Sequence, residues 1–198
     1  MNHDRLFDVI EFATLAHRGQ FRKVTEIPYI VHPLRVAQLL IEYGCPEEVV
    51  LAGILHDVLE DTSITATMIL DRFGEKVAQL VQGASEPGKG VPWEKRKEHT
   101  LEYLKTAPLE VAWITCADKL DNIRSIHEDL QRLGEVVWDR FRRPKEKQRW
   151  YYQSLVSVLE TRITEEPLLL MYRLFIKTVQ MVFGQEDSSQ QQETPPSK

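Results

Sequence analysis

His32, the adjacent pair His56-Asp57, and Asp118 are the residues whose types and order most directly offer chemistry. Imidazole nitrogens and carboxylate oxygens form a mixed donor set that suits Mn²⁺, Fe²⁺, Zn²⁺ or Mg²⁺, and donor softness does not choose among them. A cation with open positions in such a set lowers the pKa of a coordinated water enough to make it a nucleophile near neutral pH. His56-Asp57 follows the most apolar run of the chain, Val49-Val50-Leu51-Ala52-Gly53-Ile54-Leu55, and Glu60-Asp61 comes one turn later. On one continuous helix His56 stacks with Glu60, and Asp57 with Asp61. Burying four such groups unpaired costs several kcal/mol, which a bound cation offsets. Acids are disfavoured near a helix C-terminus, so the position of Glu60 and Asp61 argues for a working role. Asp118 closes a second apolar run, Val111 to Ala117, and Asn122 and Arg124 lie just beyond it. One helix end would then present a carboxylate, an amide and a cation.

The elements that must position these groups read as helices throughout. Apolar residues recur at spacings of three and four, and no segment alternates as a strand bounded by hairpin turns. The expected fold is all-α, a single helical bundle of about 8–10 helices. The spacing predicts helices over 4–19, 34–43, 46–61, 65–73, 75–84, 93–105, 108–127, 144–162 and 167–183, with 129–140 less regular. Prolines at or near several of these starts and Gly44 after the second fit the usual punctuation of helices. Residues 86–92 read as a flexible loop, and residues 185–198, rich in Ser, Gln and Pro, as a disordered tail. Residues 1–162 make the expected domain. The helix within 163–184 would pack on it or on a second subunit, its Leu, Met and Phe content arguing modestly for a homo-oligomer.

The 198 residues suit one domain with a tail, and 42% apolar residues suffice for a core. With 25 Lys+Arg against 30 Asp+Glu, the net charge is −5, which argues against a general nucleic-acid binder. The last helix carries Arg173, Lys177 and Gln180, against a membrane span. Cys45 and Cys116 lack zinc-knuckle or redox-pair spacing and read as reduced thiols. No secretory signal precedes the first helix, so a cytoplasmic setting is the expectation.

The order His…His-Asp…Asp resembles the signature of the HD phosphohydrolase superfamily. More narrowly, the chain resembles the hydrolase domain of RelA/SpoT-type stringent-response proteins and the stand-alone small alarmone hydrolases. The resemblance rests on Ala16-His17-Arg18-Gly19-Gln20-Phe21-Arg22-Lys23, on residues 28–37 (PYIVHPLRVA), on Leu55-His56-Asp57-Val58-Leu59-Glu60-Asp61-Thr62, on Phe73-Gly74, and on residues 117–124 (ADKLDNIR). It implies that His32, His56, Asp57 and Asp118 bind a metal, most often Mn²⁺, and that Glu60 and Asp61 activate and orient the attacking water. It implies further that Arg22 and Lys23 frame a guanine base and that Asn122 contacts the nucleotide. The implied reaction removes the 3′-pyrophosphate of ppGpp or pppGpp. The chain departs from the family pattern at Val24-Thr25-Glu26-Ile27, at Asp121 and at Ala84-Ser85.

A polyphosphorylated substrate needs cations. Lys95-Arg96-Lys97 and the basic run 140–149 are the candidates for phosphate contacts, and Lys95, Arg142 and Arg124 are taken as substrate-binding residues. The competing expectations are turnover of another nucleotide, such as an adenine alarmone or the 2′-phosphate of NADPH, and a sensor that binds without cleaving. The remaining residues leave no room for a synthetase, TGS or ACT segment.

Overall fold

Helical spacing of apolar residues produces an all-α chain, and the computed structural model describes residues 2–22, 25–86, 88 and 90–184. In order the helices are α1 (His3–Ala16), α2 (Val31–Glu42), α3 (Glu47–Leu55), α4 (Val58–Asp61), α5 (Ala66–Phe73), α6 (Glu75–Ala84), α7 (Trp93–Leu104) and α8 (Leu109–Leu133). A 3₁₀ segment, Gly134–Arg140, leads to α9 (Lys145–Glu160) and α10 (Leu168–Phe183). Among the described residues the one extended pairing is the isolated bridge of Phe21 with Pro28, which folds the connection after α1 into a short hairpin. The expected tail, 185–198, lies outside the described residues.

Local chemistry sets the ends of these elements. The Asn2 side chain accepts hydrogen bonds from the Asp4 and Arg5 amides at the start of α1, and Thr65 accepts from the Met68 amide at the start of α5. Gly44, at φ 71°, turns the chain out of α2 in a conformation that a side chain would strain.

The longest helix, α8, is the spine against which α2, α3, α6 and α10 pack. The apolar run of α3 is buried on every side, as its composition requires. Gly53 lets α3 approach α2 closely: a Cβ there would meet Leu40 Cδ1 at 2.4 Å. That approach brings the first turn of α2 beside the end of α3, where His32 and His56 lie. From α10, Met171, Tyr172, Phe175, Val179, Val182 and Phe183 are buried, and the helix packs on α8 and α9. Phe175→Ala is expected to cost about 3–5 kcal/mol, read as a lowered denaturant midpoint, because Phe175 is fully buried. Among the described residues no helix is long and apolar enough to cross a membrane.

Three differences from the sequence expectation bear on the site. First, α2 begins at Val31 rather than 34, so His32 and Pro33 sit in its first turn. Second, the expected helix 46–61 breaks at His56-Asp57, so His56, Asp57, Glu60 and Asp61 do not share one helix. The His56 ring Nδ1 lies 2.8 Å from the Gly53 carbonyl oxygen, the acceptor that a continuing helix would pair with the Asp57 amide. Third, α8 runs past residue 127 to Leu133, so Asp118, Asn122 and Arg124 sit in mid-helix rather than at a helix end.

Candidate metal centre and phosphate pocket

The first turn of α2, the break between α3 and α4, and the middle of α8 meet at one point. His32, His56 and Asp118 are all buried, and their ligand atoms lie within 4.8 Å of one another. His32 Nε2 is 3.1 Å from Asp118 Oδ1 and 3.7 Å from Asp57 Oδ2. His56 Nε2 is 3.0 Å from Asp57 Oδ2 and 3.7 Å from Asp118 Oδ1.

Both rings are fixed from behind. His32 Nδ1 lies 2.6 Å from Asp121 Oδ2, and His56 Nδ1 pairs with the Gly53 carbonyl. Each Nδ1 therefore carries the proton and each Nε2 lone pair faces the other donors, an orientation that favours metal ligation. The carboxylates are held as well. The Tyr29 hydroxyl donates to Asp57 Oδ2, Asn122 Nδ2 donates to Asp118 Oδ1, and Lys119 Nζ is 2.8 Å from Asp118 Oδ2. The buried His56 Nε2 has no hydrogen-bond partner among the described residues. An orphaned buried nitrogen facing two carboxylates fits a divalent cation.

Electrostatics give the same picture. Burial alone would lower the His56 pKa, but the Asp57 and Asp118 charges outweigh it and hold the ring well above the usual histidine value. Burial would raise Asp57, yet His56 and His32 keep its pKa low. For Asp118 burial is likewise overcome, by Lys119 first and then by both histidines. Without a metal the centre attracts a proton, so acid should weaken metal binding.

His56, Asp57 and Asp118 open into a cavity of about 280 Å³ whose other walls come from α4, α7 and α8 and from the end of α6 and the residues after it. Glu60 lines it. Burial raises the Glu60 pKa from the ordinary glutamate value to about 7, with Asp57 and Glu86 adding to the rise against the Glu86 amide, which donates to Glu60 Oε1. Arg96, Lys97 and Lys119 line the same cavity, and so do Trp93, Tyr29 and Asn122. Lys97 Nζ sits 4.7 Å from the Tyr151 ring centroid and 5.8 Å from that of Trp93.

Of the residues singled out from sequence, His32, His56, Asp57, Asp118, Glu60 and Asn122 come together here. The half-buried Asp61 is not among the cavity walls. Its backbone carbonyl accepts from Gln20, and its charge acts on the Tyr29 hydroxyl, whose pKa burial and Asp57 already raise. Arg22 Nη1 donates to Asn122 Oδ1 at 3.3 Å, and Nη2 lies 3.6 Å from Asp121 Oδ2, so the hairpin after α1 is tied to α8. Lys23 lies outside the described residues.

Three expected substrate contacts are elsewhere. Lys95 faces solvent and pairs with Glu98, while its neighbours Arg96 and Lys97 enter the cavity. Arg142 is exposed on the segment before α9 and does not reach the cavity. Arg124 is two residues beyond Asn122 on α8, a separation of about 200° around the helix, and leaves by another face. Three members of the basic run are held in ion pairs, Arg140 with Asp129, Arg143 with Glu94 and Lys145 with Glu135.

Sequence reasoning assigned no role to Tyr29, Glu86, Lys119 or Asp121. Asp121 lies three residues from Asp118 on the same helix, and that spacing was the signal available for it. Asp121→Asn is expected to weaken metal binding about 10–100-fold with the fold retained, measured by titrating the metal-free chain.

Residues 10–144 match the family model described as the HD domain. The chain belongs to the HD domain family. It is 33% identical over 167 residues to the guanosine-3′,5′-bis(diphosphate) 3′-pyrophosphohydrolase MESH1 of Danio rerio, a match covering 83% of this chain and 89% of that protein. It is 41% identical over 119 residues to a guanosine-3′,5′-bis(diphosphate) 3′-pyrophosphohydrolase of Aquifex aeolicus, covering 59% of this chain and only 17% of that longer protein. Among solved structures, a metazoan orthologue of SpoT that hydrolyses ppGpp superposes with a TM-score of 0.74 at 27% identity, over 89% of this chain and 96% of that one.

Proposed function

We propose that this chain is a metal-dependent hydrolase that removes the 3′-pyrophosphate of ppGpp or pppGpp, giving GDP or GTP and pyrophosphate. One observation carries the reading: four N/O donors, two of them histidines fixed by their Nδ1 atoms, converge, and three of them, His56, Asp57 and Asp118, line a cavity that also holds a high-pKa glutamate and three cations. The relatives named for this reaction support the choice of substrate.

His32, His56, Asp57 and Asp118 would hold the metal, for which we propose Mn²⁺. When bound it supplies Lewis acidity toward water and a phosphoryl oxygen. Glu60, near the donors, takes the proton of the attacking water, and its pKa of about 7 suits a general base close to neutral pH. Asp61, whose charge acts on the buried Tyr29 hydroxyl, is the second acid that orients the attacking water. Arg96 and Lys97, two of the three adjacent cations singled out from sequence, hold the pyrophosphoryl group as it passes from the departing ribose 3′ oxygen to water. Lys119 pins Asp118 against the donors. Asn122 and Arg22, linked to each other, contact the nucleoside, with Lys23 beside Arg22 in the chain. The two free cysteines and a soluble nucleotide substrate support a cytoplasmic setting.

Turnover of ppGpp, pppGpp, an adenine alarmone and NADPH, compared side by side with Mn²⁺ by anion exchange, tests the reading. GDP and pyrophosphate from ppGpp, at the highest kcat/KM of the set, are the expected result. Faster turnover of NADPH or the adenine alarmone, or ppGpp bound but never cleaved, would overturn it.

A further inference from the structure

Glu86 occupies an unusual place. It immediately follows Ser85 at the end of α6, and its side chain turns back into the cavity, 9% exposed. Its carboxylate pairs with Lys97 through Oε1 and with Arg96 through Oε2 at 3.0 Å. Burial would raise its pKa, but Lys97, Lys119 and Arg96 together hold it below the ordinary glutamate value, so it is an anion at neutral pH. Two oxygens of one partly buried acid thus engage two cations at the cavity wall, the geometry with which a phosphoryl group would engage them. Its backbone amide donates to Glu60 Oε1 at 2.6 Å, so one residue touches both the cations and the candidate base.

A carboxylate in this place has a cost for a phosphohydrolase. While Glu86 holds Arg96 and Lys97, those cations are neutralised toward any incoming anion, and a substrate oxyanion brought beside Glu86 meets a like charge in a partly buried site. A fully hydrated surface pair would matter little, but the side chains of Lys97 and Arg96 are only 13% and 21% exposed.

We infer that Glu86 is a displaceable stand-in for a substrate oxyanion: in the free protein its carboxylate fills the Arg96–Lys97 site, and a pyrophosphoryl group binds by exchanging with it. The ligand chemistry is a doubly charged phosphoryl or pyrophosphoryl end. Occupancy by Glu86 also explains how two cations, Arg96 and Lys97, stay paired near the metal donors when no substrate is present. Because the Glu86 amide holds Glu60, the exchange ties occupancy of the anion site to the placement of Glu60, which makes Glu86 a positioning residue. The inference deepens the proposed function and rests on it only for the link to Glu60, since anion exchange is measurable without turnover.

The test is titration of inorganic pyrophosphate into the full-length chain and into Glu86→Gln, by calorimetry in chelator and again with Mn²⁺. The glutamine keeps the backbone amide and nearly the same volume, and it removes the competing charge. Pyrophosphate is expected to bind Glu86→Gln about tenfold more tightly, and adding Lys97→Gln should abolish the gain. Under turnover, Glu86→Gln should lower KM for the alarmone and, as the uncharged side chain lets go of the two cations and the backbone amide that holds Glu60 shifts with it, lower kcat as well, a split that mere loss of packing would not produce. Unchanged or weakened pyrophosphate binding by a folded Glu86→Gln overturns the inference. If binding tightens while no nucleotide is hydrolysed, the proposed function fails and the anion exchange stands.

Discussion

Asp57→Ala will remove both metal binding and turnover, with kcat/KM falling by about a thousandfold or more, equivalent to at least about 4 kcal/mol of transition-state stabilisation. Asp57 Oδ2 is the oxygen that faces both imidazoles, at 3.0 Å from His56 Nε2 and 3.7 Å from His32 Nε2. Its loss leaves Asp118 as the one donor carboxylate against two histidines and Lys119, and a divalent cation then has too little negative charge to displace the proton that the centre otherwise attracts. Elemental analysis of the purified variant checks the metal, and a ppGpp assay checks activity. Stoichiometric metal in Asp57→Ala would contradict the donor set. The fold should survive, because Asp57 sits at the break between α3 and α4, and the apolar run of α3 that carries the packing is untouched.

Glu60→Gln will separate activity from stability. Turnover is expected to fall about 100- to 10,000-fold, the range for losing a general base. Stability in chelator should move the other way. Glu60 has its folded-state pKa raised to about 7, so the folded chain binds this proton more tightly than the unfolded chain does. The stability this group contributes is present below the ordinary glutamate pKa and is lost as pH rises through about 7. Glutamine does not titrate. The variant's advantage over the parent should therefore grow between about pH 4.5 and 7 and level off above, reaching on the order of 1–3 kcal/mol. Denaturant midpoints at pH 5 and pH 8 measure it, and an advantage that does not grow with pH would contradict the environment assigned to Glu60.

The convergence of His32, His56 and Asp118 was legible because it depends on residue type and order, which a sequence displays directly. His32, His56 and Asp118 are rare polar groups beside apolar runs, and a buried imidazole or carboxylate needs a partner wherever the chain takes it. The all-α architecture was legible for a related reason, since the three-and-four spacing persists from α1 to α10. The break at His56-Asp57 was not legible. It is decided when one imidazole competes for the Gly53 carbonyl, and no periodicity records that contest. Which members of Lys95-Arg96-Lys97 face the cavity was available in principle: Trp93, Lys97, Leu101 and Leu104 fall on one face of α7, while Lys95 points away from it. Arg124 was misplaced for a different reason. Taking α8 to end near 127 made Arg124 part of a helix end, whereas the stop is Gly134, at φ 68°, and Arg124 lies on a different face of the helix from Asp118. The role of Asp121 depends on contacts from α2 and from the hairpin after α1, which only the folded chain brings together.

The central claim is that water, helped by Glu60 and a cation at the four donors, attacks the phosphorus attached to the ribose 3′ oxygen. The most direct test is incubation of the full-length chain with ppGpp and Mn²⁺ in oxygen-18 water, with products separated by anion exchange and weighed by mass spectrometry. The account predicts unlabelled GDP and pyrophosphate carrying one heavy oxygen, both absent with Asp57→Ala. Label in the GDP, or ppGpp left intact, would contradict it.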